Sequence, residues 1–154
     1  FDDEGYCNFF TSRTYDPSVW PPYLNGPGNK DIIFNELLID WEREVTLVEG
    51  VFDAIVAGEN SIPLLGSTLR EDSRLFRKIV KNDTPVLLGL DNDAHKKAMK
   101  LVKALLAYDV EIRLMDTSGY KDIGEMSRDV FQERKEKASF IDSDAYLLKV
   151  ALLA

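Results

Sequence analysis

Short apolar runs alternate along this chain with stretches in which apolar residues recur at helical spacing. The apolar runs predict strands at 45–48, 62–65 and 86–90, and the alternation of apolar and charged residues at 110–114 predicts a half-exposed strand. Apolar residues spaced i, i+3 and i+4 predict intervening helices near 51–58, 71–82 and 94–107. Strands that alternate with helices are typical of βαβ units, so we expect an α/β fold with a mainly parallel sheet flanked by helices.

The two ends of the chain follow other patterns. Aromatic residues mixed with Pro, Gly and Asn predict loops near the start and a strand or hairpin arm at 7–15, while 32–40 is ambiguous between helix and loop. A polar loop is expected at 116–125. An amphipathic region then begins near 126 and is interrupted near 139–142.

These patterns divide the chain into three parts. We expect a partial N-terminal α+β segment at 1–43, an α/β domain at 44–128 and a C-terminal helical segment at 129–154. The chain begins with Phe1 rather than Met, so we expect it to be a piece of a longer protein.

Composition indicates a folded domain and excludes several classes of function. The 154 residues are 45% hydrophobic and 30% charged, which is typical of a chain that buries a core. The net charge of −8 argues against a protein that coats DNA non-specifically, although basic residues outnumber acidic ones between Ser67 and Lys103. One cysteine (Cys7) and one histidine (His95) exclude an internal disulfide and a Cys/His zinc site.

The sequence contains neither a long apolar run nor a signal-peptide pattern. No stretch approaches the roughly 18 apolar residues that a membrane helix needs. We therefore expect no membrane partner and a cytoplasmic location.

Acidic residues stand where two predicted strands end. Glu49 follows the predicted strand 45–48, and Asp91 and Asp93 follow the predicted strand 86–90. The carboxyl ends of parallel strands meet at one edge of a sheet, so these side chains are candidates for one shared site. Two carboxylates about 4 Å apart repel by roughly 4 kcal/mol at an effective dielectric near 20, and a cation relieves this repulsion. Oxygen ligands of this kind suit Mg²⁺ or Mn²⁺.

Two alternatives to a metal role remain open. Asp91 and Asp93 could instead cap the helix that follows them, because a short acidic side chain accepts hydrogen bonds from the first backbone N–H groups. Asp53 lies in the first turn of the predicted helix after Glu49. We expect it to orient a neighbour or to interact with the helix dipole rather than to bind metal directly.

Taken in order, the acidic motifs resemble the Toprim domain of bacterial-type primases, type IA and type II topoisomerases, and some nucleases and repair proteins. The matching motifs are Glu49-Gly50, Asp91-Asn92-Asp93 and the acidic loop with Asp122 and Glu125. The resemblance covers about 45–127 and implies a Toprim-like, Rossmann-like fold.

The upstream segment is similar to the one that joins the N-terminal subdomain to Toprim in primases. It contains Phe10-Thr11-Ser12-Arg13, then Tyr23-Leu24-Asn25 and Ile33-Phe34-Asn35. Tyr120-Lys121-Asp122-Ile123 is most similar to phage primases. The resemblance implies the catalytic core fragment of a DNA primase, which makes RNA primers on single-stranded DNA from ribonucleoside triphosphates. A replicative helicase, fused or separate, would be a partner, and a phage protein would act in the host cytoplasm.

The resemblance also implies residue roles. Glu49, Asp91 and Asp93 would be catalytic and would hold Mg²⁺ or Mn²⁺ together with Asp122. Contacts to nucleotide or template would come from Arg13, Lys96, Lys97 and Lys100. The chain departs from the family at Pro22, where primases usually have Lys, and at Gly124, where they usually have an acid.

Two rival functions accompany this interpretation. One keeps the fold and changes the chemistry, namely a nuclease or topoisomerase fragment of the Toprim family. The other is a non-catalytic Toprim module that makes protein contacts in a recombination or repair protein.

Overall fold

The computed structural model describes residues 1–27, 31–66, 69–91 and 94–152. Within them the strands are β1 (Thr11–Arg13), β2 (Tyr23–Asn25), β3 (Val45–Val48), β4 (Ser61–Pro63), β5 (Val86–Leu88), β6 (Ile112–Leu114) and β7 (Ser139–Phe140). The α-helices are α1 (Val51–Ala57), α2 (Arg74–Asn82), α3 (His95–Leu106), α4 (Arg128–Glu136) and α5 (Ser143–Leu152). Short 3-10 helices occur at Glu36–Leu38 and Ile123–Glu125.

The described residues form a five-stranded sheet in the order β4-β3-β5-β6-β7. The pairs β3–β4, β3–β5 and β5–β6 are parallel, and β7 runs antiparallel to β6 at the edge. The predicted α/β class, with a mostly parallel sheet flanked by helices, is therefore confirmed. The strands are shorter than the apolar runs that predicted them, because β5 stops at Leu88 although Leu90 is also buried.

Both faces of the sheet are covered at its centre, which explains why β3 and β5 are buried at every position and almost entirely apolar. Val45 and Leu47 of β3 pack into the core that α2 and α3 cover, together with Ile79 and Leu105 of those helices. Val48 points to the opposite face. There it packs in a second cluster to which α1 and α4 contribute Ala57 and Phe131.

The N-terminal segment is anchored to the main sheet by burial and by ion pairs. Ile33 is fully buried in the larger core cluster. The buried Glu36 carboxylate lies 2.9 Å from Arg74 Nη2 and 3.0 Å from Lys78 Nζ of α2, although the pattern of α2 predicts these basic residues on its outer side. The proposed boundaries at 43/44 and 128/129 stay a prediction.

The chain ends differ from the sequence pattern in detail. The hairpin arm predicted near the start is confirmed, since β1 pairs antiparallel with β2. The ambiguous stretch 32–40 contains the 3-10 helix at Glu36–Leu38. The interruption predicted near 139–142 is confirmed, and it holds the edge strand β7, which the pattern did not predict. None of the helices in the described part of the chain has the length and apolarity of a membrane span.

Candidate active site

A cleft of about 650 Å³ lies beyond the carboxyl ends of β3 and β5. Its lining comes from the β1–β2 hairpin, from the loops that follow the four strands β3 to β6 of the large sheet and from α1. The polar and aromatic lining residues are Thr11, Arg13, Tyr23, Asn25, Glu49, Phe52, Asp53, Asp91, Lys121, Asp122 and Glu125. Segments far apart in sequence thus meet at the edge of the sheet where ligands bind in open α/β folds.

One side of the cleft, which we call the acidic wall, consists of Glu49, Asp53, Asp91 and Asp122. Leu47 of β3 is the register partner of Leu88 of β5, so the residues that follow these strands emerge at the same edge. The structure thus places three of the four predicted metal ligands, Glu49, Asp91 and Asp122, around one cleft. The fourth, Asp93, lies outside the described residues.

Asp53 ties two loops of the acidic wall together. Its carboxylate accepts hydrogen bonds from Gly50 N–H, with 2.8 Å between Oδ2 and N, and from Gly124 N–H, with 2.9 Å between Oδ1 and N. The first bond is the half of a capping box in which an acid at the third helical position reaches back to the N-cap backbone. Asp53 therefore orients its neighbours, which is the first of the two roles expected from the sequence.

The electrostatics of Asp53 reflect this position. The residue is only 8% exposed. Burial raises the pKa of its carboxyl, the hydrogen bonds from Gly50 and Gly124 partly offset the rise, and the negative charges of Asp122 and Glu49 add to it. The acidic wall therefore repels itself, and a positive charge in the cleft would stabilise it.

Gly89, just after β5, lets the acidic loop approach the sheet. A Cβ atom at this position would lie 2.7 Å from Ile123 Cδ1 and 3.0 Å from Met115 Cε. Ile123 is fully buried and belongs to the 3-10 helix that Asp122 caps by accepting a hydrogen bond from Glu125 N–H at 3.0 Å. The missing side chain at Gly89 thus makes room for Ile123, whose burial brings Asp122 to the cleft.

Glu49 carries the clearest sign of an incomplete site. Its Oε2 atom lies 3.5 Å from Lys97 Nζ of α3. Its Oε1 atom is buried and has no hydrogen-bond partner among the residues that the structure describes. A buried carboxylate oxygen without a partner is costly, and a bound cation would remove that cost.

A divalent cation fits the chemistry of the acidic wall, because carboxylate oxygens are the ligands that Mg²⁺ and Mn²⁺ prefer. A bound cation is also favoured by Glu49 Oε1, which has no hydrogen-bond partner among the described residues, and by the repulsion between Asp53 and its acidic neighbours. The described residues do not form a closed cage, since no three His, Cys, Asp or Glu side chains among them are grouped so that they could hold one ion.

The part of the lining that the hairpin contributes, which we call the hairpin wall, consists of Thr11, Arg13, Tyr23 and Asn25. Thr11 is the cross-strand partner of Asn25, and Arg13 is the partner of Tyr23. Residues two apart in a strand share one face, so these four side chains face the cleft together. The guanidinium of Arg13 lies 5.4 Å from the centre of the Tyr23 ring and 5.7 Å from that of Phe52.

The candidate phosphate contacts fall into two groups. Arg13 lines the cleft, and Lys97 reaches Glu49 on the acidic wall. Lys96 and Lys100 are exposed on α3 and are not among the described residues that line the cleft.

Sequence reasoning did not identify Tyr23, Asn25 and Phe52 as site residues. Tyr23-Leu24-Asn25 was visible as a motif, and its period-two alternation with Thr11-Ser12-Arg13 would have placed the four polar and aromatic side chains on one face. Phe52 carried no such signal, because its spacing with Ile55 and Val56 is that of an ordinary core-facing helical residue.

Comparisons with known proteins support the fold. No family model matches the chain, and no curated protein matches it significantly. Among solved structures, the crystal structure of the Aquifex aeolicus primase, which holds zinc-binding and RNA polymerase domains, superposes with a TM-score of 0.69 at 20% sequence identity. The match covers 91% of this chain and 39% of that one. The chain therefore has a primase-like fold and spans well under half the length of the primase that it resembles.

Proposed function

We propose that this chain is the Toprim-type catalytic portion of a DNA primase, which synthesises RNA primers on single-stranded DNA. The observation that carries the proposal is the cleft itself, which Glu49, Asp91 and Asp122 line together with Arg13 beyond the ends of parallel strands. The primase-like fold supports it independently, since 91% of the chain superposes on a structure that contains an RNA polymerase domain.

Glu49, Asp91 and Asp122, with Asp93, would hold Mg²⁺ or Mn²⁺. The bound ions would neutralise the triphosphate and lower the pKa of the attacking 3′-hydroxyl. The chain's own contribution is to bring the carboxylates together through Asp53 and through the packing of Ile123 over Gly89.

The basic residues would bind phosphates of the nucleotide or the template. Arg13 lines the cleft and Lys97 lies 3.5 Å from Glu49 of its acidic wall, so both would meet phosphates close to the reacting groups. Lys96 and Lys100 are exposed on α3 and would meet strand phosphates farther away. Single-stranded DNA, ribonucleoside triphosphates and a replicative helicase are the partners this function requires.

The test measures incorporation of labelled ribonucleotides on single-stranded DNA by the intact protein that carries this chain. Asp91→Ala should abolish Mg²⁺- or Mn²⁺-dependent primer synthesis, because it removes one of the carboxylates of the acidic wall. Asp72→Ala is the matched control, since the Asp72 side chain is largely exposed and lies outside the cleft. Full synthesis by Asp91→Ala would refute the assignment.

The same preparation separates the rival functions. Strand nicking without primer synthesis would favour a nuclease or topoisomerase fragment. Absence of any Mn²⁺ binding by the folded chain would favour a non-catalytic protein-contact module.

A further inference from the structure

The guanidinium of Arg13 is held by two aromatic rings from different parts of the fold. The guanidinium carbon and the centres of the Tyr23 and Phe52 rings form a nearly equilateral triangle, with sides of 5.4, 5.7 and 6.1 Å. The two rings meet edge to face at an interplanar angle of 60°. A cation within about 6 Å of a ring centre is attracted by the ring's quadrupole, so each ring contributes to holding Arg13.

This arrangement joins the hairpin to the main sheet beside the acidic wall. Arg13 and Tyr23 are cross-strand partners in the β1–β2 hairpin, whereas Phe52 belongs to the first turn of α1. Glu49 lies three residues before Phe52, just beyond the end of β3. The Tyr23 and Phe52 rings, which we call the clamp, therefore set the position of Arg13 relative to the acidic wall.

The Arg13 charge has no acidic ion-pair partner in the described part of the chain. None of the carboxylates that the structure describes forms an ion pair with Arg13, although five acidic residues line the same cleft. The N–H groups of a guanidinium lie along the edge of its plane, where they match the geometry of a phosphate. The rings themselves are partly exposed, Tyr23 by 43% and Phe52 by 38%, so they are not simply core residues.

We propose that Tyr23 and Phe52 are positioning residues that hold the Arg13 guanidinium on the cleft wall so that its N–H groups bind a phosphate opposite the acidic wall. The phosphate belongs either to a nucleoside triphosphate or to the backbone of a single strand. This inference rests on the proposed function for the identity of the ligand, while the clamp itself can be tested without it.

The first measurement observes the clamp in the folded chain without ligand. Protons near the face of an aromatic ring experience its ring current, so the side-chain resonances of Arg13 should be shifted upfield in NMR spectra. Phe52→Leu and Tyr23→Leu should each move these resonances towards ordinary values. Arg13 resonances without a ring-current shift in the unaltered chain would overturn the proposal.

The second measurement follows the binding of two probes to the same proteins, a fluorescent ATP analogue and a labelled oligo-dT strand. Phe52→Leu and Tyr23→Leu should each weaken binding of one or both probes by about two- to fivefold. Arg13→Ala should weaken it further. Tyr23→Phe and Phe52→Tyr keep the rings and should restore most of the affinity that the leucine variants lose. The probe that responds identifies the source of the phosphate.

Leu24→Ala is the matched control, because Leu24 lies on the opposite face of β2 from Tyr23 and is 64% exposed. Equal weakening by Leu24→Ala would show that loosening of the hairpin, rather than loss of a ring, causes the effect, and would overturn the proposal. Unchanged binding in both leucine variants would overturn it as well. If the two leucine variants bind the probes more weakly but the unaltered protein synthesises no primers, the clamp is supported and the proposed function fails.

Discussion

The two walls of the cleft are built by different physical means. The acidic wall follows strands of a parallel sheet that is buried on both faces. Its loops are held by the hydrogen bonds that Asp53 accepts and by the packing of Ile123 on Gly89. The hairpin wall stands on two three-residue strands, and its side chains are placed by cross-strand pairing and by contact with Phe52.

This difference determines what mutations should do. The acidic wall is coupled to the core, so changes that alter its geometry should also lower the free energy of unfolding. The hairpin wall is exposed and makes few buried contacts, so changes there should affect ligand binding with little effect on stability. Tyr23→Leu tests the hairpin wall, because urea unfolding of this variant should show almost unchanged stability. Three further variants test the acidic wall and its surroundings.

The largest effect is expected for Gly89→Val, which places a branched side chain where Ile123 and Met115 now pack. Overpacking of this kind should lower the free energy of unfolding by about 3 kcal/mol and displace the loop that carries Asp122. Urea unfolding measures the first effect and Mn²⁺ titration the second. Ala107→Val, an addition at an exposed position after α3, should change stability by less than about 0.5 kcal/mol. Normal stability and Mn²⁺ affinity in Gly89→Val would show that the acidic loop does not depend on this packing.

Asp53→Ala should have an intermediate effect, because it leaves the N–H groups of Gly50 and Gly124 without their acceptor. We expect a loss of about 2 kcal/mol in stability, together with weaker Mn²⁺ binding. Burial raises the pKa of Asp53, so this carboxyl stabilises the fold less as the pH rises from its ordinary pKa through the raised one. Urea unfolding at mildly acidic and at neutral pH should therefore show a larger loss at the lower pH, and an equal loss at both would contradict the raised pKa.

The smallest effect on stability is expected for Lys97→Ala. The ion pair between Lys97 and Glu49 is partly exposed and should contribute less than about 1 kcal/mol to folding. Removing a positive charge beside Glu49 should strengthen Mn²⁺ binding by about fivefold, as measured by titration calorimetry. Lys103→Ala, at an exposed position of the same helix, should leave the affinity unchanged. Weaker binding in Lys97→Ala would indicate that Lys97 supports the ion rather than competes with it.

The acidic wall was largely predictable from the sequence, and the hairpin wall was not. Glu49 and Asp91 follow apolar runs, and an edge shared by parallel strands brings such residues together in any fold of this class. The roles of Tyr23 and Phe52 depend on how a short hairpin docks on α1, which local pattern does not encode. Lys97 was predicted to meet a phosphate, and its contact with Glu49 depends on how α3 packs on the sheet.

The order of apolar and polar residues by itself determined the α/β class and the approximate positions of the main strands and helices. It also showed that acidic residues follow two of the strands. These features can be predicted locally, because a strand buried on both faces must be apolar and a helix buried on one face must be amphipathic. Only the tertiary structure decided which loops meet. Ile123 fits over Gly89, Asp53 spans from Gly50 to Gly124, and Arg13 lies against rings from two separate segments. Each of these depends on distances between residues far apart in the chain, and such distances are set by packing rather than by local sequence.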